Sequence, residues 1–114
     1  MKVPRKRKWI DRGSYSKLIL FNQKELGSKA LVQLVRIKPK SRVEPHYHKQ
    51  TKEIFYILEG NAFLYFNGRR IKAKPGKVFL CEPGDVHGVI NPSKKELLLL
   101  VFKINPKEKD FYKN

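Results

Sequence analysis

Cysteine occurs once in this 114-residue sequence, at Cys81, alongside one Trp, one Met and three His. A lone cysteine excludes an internal disulfide framework and any paired-cysteine metal site. It also makes a reducing, cytoplasmic setting the simplest expectation. Long hydrophobic runs are missing too. The longest, Leu97 to Phe102, falls far short of the ~18–20 residues that span a membrane, so no membrane association is expected. The basic start, Met1 to Lys8, leads into Trp9-Ile10-Asp11-Arg12-Gly13 instead of an apolar stretch, so no signal peptide is expected.

Acidic residues are scarce: 10 Asp plus Glu stand against 26 Lys plus Arg, a formal net charge of +16. Such a balance favours anionic partners. Five of the basic residues, Lys2, Arg5, Lys6, Arg7 and Lys8, fall within the first eight positions, and the others are dispersed. Dispersed charge reads as a solvated surface, and no helix-turn-helix, zinc-finger or RNP-type pattern accompanies it. Nucleic acid is therefore not the expected partner; a small anionic molecule is. Too little Glu accompanies the Lys for extensive surface ion-pair networks.

What is present is β-forming. Hydrophobic residues make up 40% and aromatics 11%, enough for a core despite the charge. The apolar stretches are short, rich in Val, Ile, Leu, Phe and Tyr, and cut by Gly, Pro and Asn. That pattern predicts strands over residues 17–21, 30–37, 44–48, 53–58, 62–66, 69–73, 77–81, 86–90 and 96–104. Asn67-Gly68 between two runs predicts a type I′ hairpin turn. The chain reads as an all-β sandwich or barrel over residues 17–104. Residues 1–16 form a basic arm and lead-in, and residues 105–114 a polar surface tail. Ile54 to Leu58 and Leu97 to Phe102 are apolar on both faces, so their outer faces are expected to be covered as well. A second subunit, giving a homodimer, is the preferred cover; a terminal segment folding back is the alternative.

All three histidines fall into one pattern. His46 and His48, at i and i+2 on a strand, share a face. Glu53 opens the next apolar strand, where a turn over residues 49–52 brings it beside the pair. His87 follows Pro83-Gly84-Asp85-Val86 on a separate strand. Three imidazoles and a carboxylate suit a divalent transition metal ion: Mn, Fe, Zn, Ni, Co or Cu. With Glu53 inward, Phe55 and Ile57 point inward and Tyr56 and Leu58 outward. Tyr47, between the two ligands, points outward. Glu82 reads as a solvent-facing turn residue, and Cys81 as a buried, inert small hydrophobe.

These residues resemble the two motifs of the cupin family. The first is matched by His46-x-His48-x4-Glu53-x6-Gly60, with Lys40 where the family's opening Gly stands. The second is matched by Gly76-x5-Glu82-Pro83-Gly84-x2-His87-x3-Asn91, with Glu82 where the family has Pro. A 15-residue spacer, Asn61 to Pro75, separates them. The resemblance implies a double-stranded β-helix, a jelly-roll barrel, with a metal held by His46, His48, Glu53 and His87. It leaves Asn91 as a turn residue before Pro92 or a hydrogen-bonded tie at the barrel mouth. The family spans sugar isomerases and epimerases, dioxygenases, decarboxylases, lyases and ligand-binding regulators, so fold does not choose among them. The expectation is a small metalloenzyme acting on a sugar phosphate or carboxylate, of isomerase, lyase or dioxygenase type. A non-catalytic ligand-binding or sensing module is the alternative, because no general base is identifiable.

Overall fold

β-branched and aromatic residues dominate the apolar stretches, and the computed structural model, which describes residues 1–27 and 29–114, contains strands and no helix among them. Nothing described is therefore a helix long and apolar enough to cross a membrane. The strands are β1 (Ile10–Asp11), β2 (Tyr15–Phe21), β3 (Ala30–Ile37), β4 (Ser41–Tyr47), β5 (Lys52–Glu59) and β6 (Ala62–Phe66). They continue with β7 (Arg69–Ala73), β8 (Val78–Cys81), β9 (His87–Asn91), β10 (Leu97–Ile104) and β11 (Tyr112–Lys113). Two antiparallel sheets form, ordered β1-β2-β3-β10-β5-β8 and β11-β4-β9-β6-β7. This is the all-β jelly roll expected from sequence. At the β6–β7 hairpin Asn67 and Gly68 both take positive φ, 45° and 88°, as a type I′ turn requires. Lys40, standing at the family's glycine position, also takes positive φ, 54°, and donates its backbone N–H to the Ser93 carbonyl at 3.0 Å.

Alternation along each strand layers the interior. On β10 the inward residues run Leu97, Leu99, Val101, Lys103; on β3, paired with it, they run Ile37, Val35, Gln33. On β5 they run Ile57, Phe55, Glu53. One end of the barrel is thus sealed by Ile37, Ile57, Leu97 and Leu99, all but inaccessible. The other end is polar. Asn91 ties the apolar end: its amide donates to the carbonyls of Ile37, Lys38 and Lys95 at 3.1, 3.1 and 2.8 Å. Its tying role was legible, but it closes the end of β9 opposite His87, not the mouth that holds the histidines.

Strand β4 begins three residues earlier than the sequence suggests and carries a bulge. Val43 pairs with Val89, and His46 with His87, so one residue too many lies on β4 between them. Strict alternation from inward Val43 would turn His46 outward. The bulge at Glu44-Pro45 resets the phase, and Pro45 suits it because it has no N–H to give to a ladder. Opposite stands Gly88, where the backbones approach so closely that a Cβ would lie 2.7 Å from the Val43 carbonyl oxygen.

The basic arm is partly docked. Arg7 pairs with Glu25 at 2.6 Å and donates to the Leu20 carbonyl at 2.9 Å, and Arg36 lies 4.0 Å from the Trp9 ring centroid. The arm thus lies against β2 and β3. Further across the outer face of the same sheet, Tyr56, Val78, Leu80, Phe102 and Ile104 remain exposed, so the arm does not supply the expected cover over β5 and β10.

Gly88→Ala should lower stability by ~1–3 kcal/mol, the range for overpacking against a fixed neighbour, because backbone must move to admit the methyl. The shift in urea midpoint against wild type measures it.

Candidate metal centre

The bulge on β4 delivers His46, the turn after it delivers His48, β5 delivers Glu53, and β9 delivers His87. All four residues are buried, and one donor atom from each lies within 4.8 Å of the others. The residues singled out from the sequence are therefore brought together by four separate segments. Each imidazole is oriented from behind. Nδ1 of His46 donates to the Glu44 carbonyl at 2.8 Å, Nδ1 of His87 to the Asp85 carbonyl at 2.9 Å, and Nδ1 of His48 to the Asp110 carbonyl. A carbonyl only accepts, so each Nδ1 carries hydrogen and each Nε2 is the nitrogen that a metal ion would take.

Glu53 ties the cluster together. Nε2 of His48 meets Oε1 of Glu53, and Nε2 of His87 stands 3.3 Å from the same oxygen. Burial opposes the Glu53 charge, but hydrogen bonds from His48 and His87 outweigh it and hold the carboxyl well below its usual range. Burial likewise opposes charge on His48, yet the bond to Glu53 and its negative charge raise this imidazole above its ordinary value. Both His48 nitrogens face acceptors, the Asp110 carbonyl and the Glu53 carboxylate. Burial drives His46 the other way, down to about 4, so it is neutral and ready to ligate. A divalent ion held by these residues would compete with protons for the imidazole nitrogens.

The donors fit such an ion. Three imidazole nitrogens and one carboxylate oxygen are a donor set that such an ion takes, and they lie within 4.8 Å of one another. A cavity of about 90 Å³ lies over the cluster, lined beyond the ligands by Tyr15, Gln33, Phe55, Val101, Lys103 and Phe111. Phe55 and Ile57 face inward and Tyr56 outward, as alternation requires. Tyr47 stays out of the cavity, its ring centroid 5.3 Å from that of Tyr112. Glu82 is exposed and pairs with Lys52 at 3.3 Å. Cys81 is buried, and burial pushes its thiol up to about 12, which keeps it protonated and inert.

Residues 105–114 are more than the polar surface tail expected from sequence. Asp110 is buried, and its carboxylate accepts from the backbone N–H groups of Lys49, Gln50 and Thr51 at 2.7, 2.9 and 2.9 Å, and from the Thr51 hydroxyl at 3.0 Å. Burial raises its pKa, but these four bonds win and lower it. The segment thereby clamps the turn that carries His48 to Glu53. Phe111 then stacks on His46, centroids 4.5 Å apart at 19° between planes, and β11 pairs with β4. The readable signal was Phe111-Tyr112, two aromatics in an otherwise polar stretch.

Asp110→Ala keeps the carbonyl that orients His48 but releases the clamp. It should cost ~1–3 kcal/mol for the donors left unpaired. Metal affinity should fall about 10–100-fold, as for other losses of support behind a ligand. Chelator competition reads the second effect, and urea unfolding of metal-free protein the first.

A family model described as Cupin domain matches residues 33–103. An oxalate-binding protein from Thermotoga maritima is 29% identical over 90 residues, 78% of this chain and 74% of that protein. Among solved structures, a predicted oxalate decarboxylase from the same organism superposes with a TM-score of 0.79 at 27% identity, covering 87% of this chain and 91% of that one. A sugar phosphate isomerase of the cupin superfamily from Silicibacter pomeroyi superposes with a TM-score of 0.71 at 25% identity, covering 82% of this chain and 60% of that one. The family match runs through the same strands that present the four donors, and the chain belongs to the cupin family.

Proposed function

We propose that this cupin is a metal-dependent binding protein for a small carboxylate. The observation that carries the reading is the placement of His46, His48, Glu53 and His87 at a cavity of only about 90 Å³. Pockets for drug-sized ligands run to ~300–1,000 Å³. A short acid suits this space better than a sugar phosphate. The likeness to a protein named for oxalate binding points the same way. The chemistry that a divalent ion supplies at this position is Lewis acidity towards a ligand oxygen.

The chain's own residues do the remainder. The three carbonyl-tethered imidazoles hold their Nε2 atoms on one point, Glu53 supplies the negative charge, and Phe55, Val101 and Phe111 exclude water around the ligand. Enzymatic turnover is the second reading. Beyond the four donors, the proton-carrying groups lining the cavity are Tyr15 and Lys103, and burial raises the Tyr15 pKa. The cavity therefore offers little as a general base, which favours binding over turnover.

Protein purified without added metal should contain about one divalent transition metal ion per chain by elemental analysis. His48→Ala should lose metal and carboxylate binding together, with metal affinity falling by more than the roughly 100-fold typical of losing a supporting residue. Metal retained at wild-type affinity in that variant would sink the assignment. Turnover of a carboxylate by the wild type, abolished by the same change, would favour the enzyme instead.

We also propose that the outer face of the six-stranded sheet meets a second copy. Ile54 lies between Leu80 and Phe102, and Tyr56 between Val78 and Leu100. These rows make an uncharged patch on a chain of net charge +16, where two copies can approach without juxtaposing cations. A stable dimer needs about 800 Å² per partner. Light scattering at micromolar concentration should give twice the chain mass, and Leu80→Lys with Phe102→Lys should halve it without loss of metal.

A further inference from the structure

The polar groups used so far are the four donors. The wall on β3 and β10, in the same sheet as Glu53 and facing the sheet that carries His46 and His87, bears two polar side chains with no assigned role. Gln33 is only 4% exposed and lines the cavity. Its amide, two donors and an acceptor, has no hydrogen-bond partner among the described residues. Nor is it sealed away, since no sealed side-chain nitrogen or oxygen among the described residues lacks a partner. It therefore opens onto the cavity. Lys103 lines the same space, one inward position along β10 from Val101, which pairs with Gln33. It stands directly across from Glu53 in the ladder, yet its ammonium makes no ion pair within 4.0 Å among the described residues.

The positive charge on this wall is not Lys103 alone. Lys17 faces inward on β2 beside Val35. Its pKa is lowered first by burial and then by the like charges of Lys103 and Arg12. Glu53 is the one anion beside Lys103, and that charge helps to hold its carboxyl down, so the wall still carries more cations than anions, an excess that a further anion relieves. A buried amide with no partner is likewise costly until something bonds to it. Both features are relieved by the same occupant, an anionic oxygen group.

We infer that Gln33 and Lys103 form a second anchor, which binds an anionic group of the ligand at the wall beside Glu53 that faces His46 and His87. The inference rests on the small-carboxylate reading above and narrows it. The preferred ligand is a short acid with two anionic ends, one directed to His46, His48, Glu53 and His87 and the other to Lys103 and Gln33. A monocarboxylate fills only the first half. Lys103 and Gln33 are specificity-determining residues, and neither ligates the metal.

The test uses the full chain loaded with Co²⁺, whose visible absorption reports ligands entering the metal site, titrated with acetate and with malonate. Wild type should bind malonate at least tenfold tighter than acetate. Lys103→Met should remove most of that preference by weakening malonate, with acetate affinity and cobalt content unchanged. Gln33→Leu should weaken malonate in the same direction, and Lys103→Arg should restore part of the preference. A wild type that binds both acids but without preference would overturn the anchor and leave the carboxylate reading standing. Variants that keep the wild-type preference would do the same. Equal weakening of both acids by Lys103→Met would show a general charge effect and also overturn the anchor. A cobalt-loaded wild type that binds neither acid would sink the carboxylate reading and the anchor with it.

Discussion

A carboxylate buried in a β-barrel stays ionised only if opposite charge and hydrogen bonds surround it, and Glu53 sets that condition for one whole end of this fold. A bare buried charge costs several kcal/mol. His48 and His87 converge on a single oxygen of Glu53, and His48 keeps its proton because Glu53 is there. His46, packed beside them but without a carboxylate bond, is driven neutral by burial. The same cluster thus contains one imidazole whose pKa is raised and one whose pKa is lowered. The difference lies in geometry, since both rings are tethered through Nδ1. A divalent cation held by these residues would satisfy the carboxylate and all three rings at once.

The condition propagates outward through the backbone. His46 reaches the interior only because β4 gains a residue at Glu44-Pro45, and that bulge fits only because Gly88 presents no side chain to it. His48 lies beyond the end of β4, so its position depends on a turn rather than a ladder. Asp110 supplies the missing rigidity by accepting three consecutive backbone N–H groups from that turn. Apolar packing of Ile37, Ile57, Leu97 and Leu99 holds the far end shut. The polar end is accordingly specified by hydrogen bonds, and the apolar end by shape.

Much of this was legible in sequence, and the reasons differ from residue to residue. The i, i+2 spacing of His46 and His48, with Glu53 and His87 at family intervals, identified the cluster because ligand chemistry restricts residue type. Inward Phe55 and outward Tyr56 followed from period two. Asn67-Gly68 followed from the positive φ that its turn demands. The bulge was missed although Pro45 inside a strand is its usual mark. Lys40 reads as a departure from the family's glycine, yet the backbone there keeps the glycine-like φ of 54°. Phe111-Tyr112 offered a signal, but the role of Asp110 could not be read, because its partners lie in the turn before β5 some sixty positions away, which no local pattern encodes. Gln33 and Lys103 look like ordinary members of polar–apolar alternation until the register places both on the inside.

The Asp110 clamp joins residues 59 to 61 positions apart. Closing a loop of that length is entropically slow to be rewarded, so an earlier folding species with both sheets begun but β11 undocked would hold its imidazoles unaligned. Such a species would take up metal weakly and exchange it readily. Docking of the segment would then do two things in one event: complete the turn and bring the four donors to one place. Any metal capture here would in that sense be timed by tertiary structure, at a contact far from the histidines in sequence.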